Sequence, residues 1–176
     1  MLRALLNDKW TQGVALCTTI LAVSAAISSL KGGGYSTKIQ LNTTLEVNRW
    51  SYFQAKSIKQ HSLELQHDEF ALRHLTEQNA EAQKFIEAKL ASYDKDIARY
   101  NKEKDEIKAD AERLTVEEKD AKQHGGNFGM AVMLLQIAIM LSSVSALTQL
   151  RWLWHIGLFM GAVGLFYMAN GFFLFF

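Results

Sequence analysis

From Tyr35 to His124 the chain carries neither proline nor glycine, and this polar run lies between apolar segments long and uncharged enough to be membrane spans. A run without the two strong breakers reads as helix. Both of its ends meet the same membrane face. One straight helix of roughly 90 residues would travel about 135 Å away from the bilayer. The run must therefore reverse near its midpoint. Thr76-Glu77-Gln78-Asn79 is the most polar and least periodic stretch there. The expectation is an antiparallel helical hairpin with arms of Asn42 to Leu75 and Ala80 to Gln123, each about 50–65 Å long.

Charge is partitioned along the 176 residues rather than spread over them. No charged residue falls between Gln12 and Leu30, and only Arg151 falls between Phe128 and Phe176. The formal net charge of +1 gives no basic surface of the kind nucleic acid requires, so nucleic acid is not an expected partner. The single cysteine, Cys17, has no partner for an internal disulfide.

The run Gly13 to Leu30 spans about 27 Å as a helix, close to a hydrocarbon core of ~30 Å. A cleaved signal peptide is the competing reading, since a basic head precedes the run, but the run exceeds a typical h-region. Lys31-Gly32-Gly33-Gly34 reads as a hinge ending this helix, without the strand and GK[ST] ending of a phosphate loop. His124-Gly125-Gly126-Asn127 repeats that punctuation. Phe128 to Leu150 and Trp152 to Phe176 are a second and third span, joined at Arg151, with Trp152 and Trp154 placed as headgroup anchors.

The fold class is thus an all-α membrane protein of three transmembrane helices plus an extramembrane coiled-coil hairpin. Its segments are 1–34, 35–124 and 125–176. Arg3, Lys9 and Arg151 fall on one side once three spans are counted. The positive-inside rule makes that side cytoplasmic and puts the hairpin outside the cytoplasm, in the periplasm of the inner membrane if the source is a Gram-negative bacterium. Lys31, Lys38, Lys119 and Lys122 on the other side count against this, yet belong to an insert too long for the rule to weigh heavily.

Within the run, Thr43 and Glu46 have capping-box spacing for a helix start. Ile58, Leu65 and Leu72 recur every seven positions, with Trp50, Phe53 and Leu75 broadening the stripe. The second arm is cleaner. Leu90, Tyr93, Ile97, Tyr100, Ile107, Ala111, Leu114 and Ala121 fall on alternating steps of three and four, with Lys104 and Glu118 interrupting. That is a heptad seam.

The chemistry on offer is sparse. Glu64-Leu65-Gln66-His67 has the E-x-x-H spacing of a carboxylate-bridged metal pair, but no second copy exists, so no metal is expected. Ser92 and Lys95 have S-x-x-K spacing without the companion motifs. No cofactor and no enzymatic activity are expected. In the apolar segments Gln136, His155 and Asn170 stand out as polar groups; Gln136 and Asn170 suit interhelical hydrogen bonds. Gly157, Gly161 and Gly164 line one face of the last span and permit close helix approach, against Ser142, Ser143 and Ala146 or another subunit.

The stretch Asn48-Arg49-Trp50-Ser51-Tyr52-Phe53-Gln54-Ala55-Lys56-Ser57-Ile58-Lys59 resembles the W-x-Y/F-Q-A-K-S-I-K signature of the bacterial membrane family DUF4337. Leu135 to Ile139 and the Arg151 to Trp154 junction extend the resemblance over most of the chain. It implies a bacterial integral membrane protein and no particular reaction. Trp50, Phe53, Gln54, Lys56 and Lys59 are then candidates for a docking surface toward a protein partner or an anionic headgroup. The plainer reading packs Trp50 and Phe53 against the second arm and leaves both lysines in solvent. Two function classes follow. One is a scaffold or adaptor that self-associates through hairpin and spans. The other is a subunit of an oligomeric channel or transporter lined by Gln136 or Asn170, whose activity Gln136→Leu would abolish without unfolding. The expected partners are the lipid bilayer, further copies of the chain and an unidentified protein.

Overall fold

The computed structural model describes residues 2–175, with side chains from Lys9 onward, so the head residues Arg3 and Asp8 contribute no side-chain geometry. Three helices account for nearly all of it: α1 Leu2–Thr76, α2 Ala80–Thr148 and α3 Arg151–Phe173. No strand is present among the described residues.

The first helix break falls on the stretch expected for the reversal, and its hydrogen bonds show why. Glu77 Oε1 accepts from the backbone amides of Gln78 and Asn79 at 3.0 and 2.9 Å. Asn79 Oδ1 accepts from the amides of Glu81 and Ala82 at 2.9 and 3.4 Å. Asn79 is thus an N-cap, satisfying orphan donors of α2. Gln83 Nε2 donates to the Glu77 carbonyl at 2.7 Å and ties the cap to the end of α1. The second break is tighter. Gln149 takes a left-handed φ of 56°, and Ser145 Oγ donates to the Leu150 carbonyl at 2.8 Å.

The expected glycine hinges are not breaks. Gly32, Gly33 and Gly34 lie inside α1, and Gly125 and Gly126 lie inside α2. The helix start expected at Thr43 and Glu46 is also absent, because α1 runs through it. Glycine lowers helix propensity by about 1 kcal/mol but keeps both backbone partner groups, so packing can outweigh it where proline could not be tolerated. Two of these glycines have that packing. A Cβ at Gly32 would sit 3.3 Å from Phe128 Cβ, and one at Gly125 would sit 3.3 Å from Tyr35 Cβ.

The chain divides into two compact units, Met1–Gln40 with Glu118–Phe176, and Leu41–Glu117. In the first, what is buried is small or polar: Ala25, Ser28, Ala131, Ala138, Ser142, Ser145 and Asn170, with the larger Val14, Leu21, Phe128 and Leu135. What is exposed is large and apolar, including Leu16, Val23, Ile27, Met133, Met140, Val144, Phe159 and Phe166. A water-soluble core sorts its residues the other way. Each of the three helices contains a segment long and apolar enough to cross a membrane.

In the second unit the seam read on the second arm is the least exposed face of α2 there. Ile107, Ala111 and Leu114 are buried on it, and Ile86 extends it toward the turn.

Candidate functional site

The signature stretch lies wholly on α1 in the second unit. Its aromatic residues pack together: Trp50 meets Phe53 edge-on, with ring centroids 5.6 Å apart. Lys104 of α2 places its ammonium 5.6 Å from the Phe53 ring centroid. One turn on, Lys56 Nζ donates to Glu103 Oε2 at 2.5 Å. The same ammonium lies 5.4 Å from the Tyr52 ring centroid and 5.0 Å from that of Tyr100. Arg99 approaches the other Glu103 oxygen at 3.6 Å. Next along the helix, Gln60 Nε2 donates to Glu64 Oε1 at 2.7 Å and to Asn101 Oδ1 at 3.0 Å, while its own Oε1 is buried without a partner.

The electrostatics follow from this geometry. The hydrogen bond to Glu103 holds the Lys56 ammonium above its ordinary pKa of 10.5, against the opposing effect of partial desolvation. The reciprocal bond from Lys56, with Arg99 contributing further, holds the Glu103 carboxyl below its ordinary 4.5. Lys56 is only 16% exposed, so its charge is committed inside the molecule. The two lysines of the signature therefore differ in their surroundings. Lys56 is neither solvated nor free to meet an anionic partner, whereas Lys59 and Gln54 are exposed.

Polar contacts of this kind recur along both helices. Glu46 accepts from Thr115 at 2.8 Å, Arg49 reaches Asp110 at 3.7 Å, His67 reaches Asp94 at 3.4 Å and His74 reaches Glu87 at 3.3 Å. Sequence reasoning missed this face of α1, which looks inconspicuous because most of its residues are polar. The apolar repeat was the visible one, and it points outward: Ile58, Leu65 and Leu72 are 71%, 59% and 67% exposed. The signal that finds this face is Glu46, Phe53, Gln60, His67 and His74 at intervals of seven, with Asn42 four residues before them, a heptad written mostly in polar residues.

The E-x-x-H pair is spent on local contacts. Glu64 binds Gln60, and His67 lies between Asp68 and Asp94 at 3.4 Å each. Among the described residues no group of three or more His, Cys, Asp or Glu is placed to hold a metal ion. Ser92 and Lys95 are exposed, and Tyr93 packs on Phe70 with centroids 5.7 Å apart.

In the first unit Gly157, Gly161 and Gly164 of α3 do come against neighbouring helices. A Cβ at Gly157 would lie 3.2 Å from Ser142 Oγ, one at Gly161 would lie 2.9 Å from Leu21, and one at Gly164 would lie 2.9 Å from Leu135. Asn170 is fully buried and its Oδ1 accepts from the Phe175 amide at 2.7 Å, which closes the end of α3 beside Leu174 in the left-handed region. Gln136 faces outward on α2.

This arrangement fixes charges and positions helices. No curated protein and no solved structure matches the chain. The family model described as "Domain of unknown function (DUF4337)" matches residues 10–174, and the chain belongs to that family.

Proposed function

We propose that the chain is an integral membrane scaffold. Three spans anchor a coiled-coil hairpin outside the bilayer, and copies of the chain associate through hairpin and spans. The observation that carries the membrane part is the inverted burial of the first unit, with large apolar side chains outside and small or polar ones inside. The hairpin part draws on the paired contacts of the second unit. As the α1 partner advances from Glu46 to Arg49, Lys56, Gln60, His67 and His74, the α2 partner retreats from Thr115 to Asp110, Glu103, Asn101, Asp94 and Glu87.

Self-association is supported by two outward features. One is the exposed stripe of Ile58, Leu65 and Leu72 on α1, whose strict spacing of seven suits a supercoiled partner helix. The other is Gln136, a polar amide on a face otherwise made of Met133 and Met140, where lipid offers it no hydrogen bond. The channel alternative retains Gln136 but not Asn170, which is buried at the end of α3. For orientation we adopt a cytoplasmic N-terminus and a periplasmic hairpin in the inner membrane, on the strength of Lys9 and Arg151.

The experiment is the mass of the full chain released from native-lipid nanodiscs. The wild type leaves as an oligomer, and the triple variant Ile58→Ser, Leu65→Ser, Leu72→Ser shifts toward monomer. Each lost apolar contact weakens association by about 10-fold or more, from ~1.5–3 kcal/mol per buried side chain. A wild type that is monomeric throughout would end the self-association reading.

A further inference from the structure

We propose that a notch on α1 at Gly34 binds the phosphate of an anionic phospholipid, between the ammonium groups of Lys31 and Lys38. The inference rests on the membrane reading above. Lys31 is the first charge after the uncharged run that ends at Leu30, so in a bilayer it stands at headgroup level. Lys31, Gly34 and Lys38 are three and four residues apart and share one helix face. With Leu30 and Tyr35 they line an open groove of about 380 Å³.

Gly34 lines the groove without a side chain. A Cβ there would meet nothing within 4 Å, so no close approach inside the chain calls for a glycine, unlike Gly32 against Phe128. Glycine inside a helix is unfavourable, and here the space it leaves opens between two cations. The walls are already held. Tyr35 stacks on His124 with centroids 4.9 Å apart and planes 6° apart, and His124 Nδ1 donates to the Gly171 carbonyl at 2.7 Å. Lys31 lies 5.8 Å from the Phe172 ring centroid.

The cations lack a counter-charge from the chain. Among the described residues no carboxylate lies within ion-pair distance of Lys31 or Lys38, while Glu118 engages Lys122 at 2.9 Å and Asp120 lies 3.8 Å from His124. A phosphate diester supplies that counter-charge. Leu30, 78% exposed at the apolar end of the same groove, offers an acyl chain a continuous path, which favours a lipid over free phosphate.

The test uses the full chain in nanodiscs of equal phosphatidylglycerol and phosphatidylcholine, with retained lipids counted by native mass spectrometry. The wild type retains phosphatidylglycerol preferentially, by about fivefold for each lysine engaged. Lys31→Gln with Lys38→Gln abolishes the preference. Gly34→Leu, which keeps both charges and raises helix propensity, abolishes it as well, whereas Gly33→Leu leaves it intact; circular dichroism verifies that each variant is folded. A preference that survives Gly34→Leu would assign the effect to diffuse charge and overturn the notch. Competition by millimolar inorganic phosphate would overturn the lipid assignment. Equal retention of both lipids by a wild type that resists alkaline carbonate extraction would overturn the inference alone, whereas extraction by carbonate would remove the membrane reading with it.

Discussion

Lys56 and Glu103 illustrate how much one pair can determine. The ammonium sits against two tyrosine rings and a carboxylate, and each partner's ionisation is favoured by the other. The sign of the pH dependence follows. The contribution from Lys56 is fully present below 10.5 and fades as pH climbs through its raised value. That from Glu103 is fully present above 4.5 and fades as pH falls through its lowered value. Thermal melting of wild type and Lys56→Met should therefore differ by a constant amount between those limits. The difference should shrink outside them. A difference that changed between pH 6 and 9 would mean that another group controls the site. None of this was legible from the lysine itself. The signature made Lys56 and Lys59 look equivalent, and only their position relative to α2 separates them.

Helices show both what patterning reveals and where it misleads. The seam of α2 was legible because apolar side chains mark it in steps of three and four, and burial follows those marks at Ile107, Ala111 and Leu114. The break was legible because Thr76-Glu77-Gln78-Asn79 is the most polar and least periodic stretch near the midpoint, and the structure adds that Glu77 and Asn79 supply side-chain acceptors there. The seam of α1 was not, since its inward residues are polar and its apolar repeat is the outer one. Glycine was misread as punctuation. In α3 it is contact surface, and in α1 and α2 it stays helical.

The glycines separate into two classes with opposite expected effects. Gly164→Val drives a side chain into Leu135, which is fully buried, and should destabilise the apolar unit by about 1–3 kcal/mol. Gly33→Ala meets nothing within 4 Å and should stabilise α1 by up to about 1 kcal/mol. Denaturation in mixed micelles checks both; equal effects at the two positions would contradict the assignment of Gly164 to helix packing.

At the scale of the whole molecule, the two units sort their side chains in opposite ways. Its apolar unit conceals serine, glycine and asparagine and displays leucine, methionine and phenylalanine. Its polar unit carries ion pairs on most turns, many of them exposed and individually weak, so its stability must come from the seam rather than from their number. Length and charge partition made this division visible from the sequence. The outward direction of the Ile58, Leu65 and Leu72 repeat was less visible, because such a repeat reads the same whether it faces a second helix or the outside.

The most direct test of the account is aqueous labelling of single cysteines in proteoliposomes, in a Cys17→Ser background, with a membrane-permeant maleimide that reacts only where water reaches the thiol. The account predicts that cysteines at Val23, Val144 and Phe159 stay unlabelled while those at Ser51, Ser92 and Asp105 are labelled fully. Equal labelling of the two sets would contradict it.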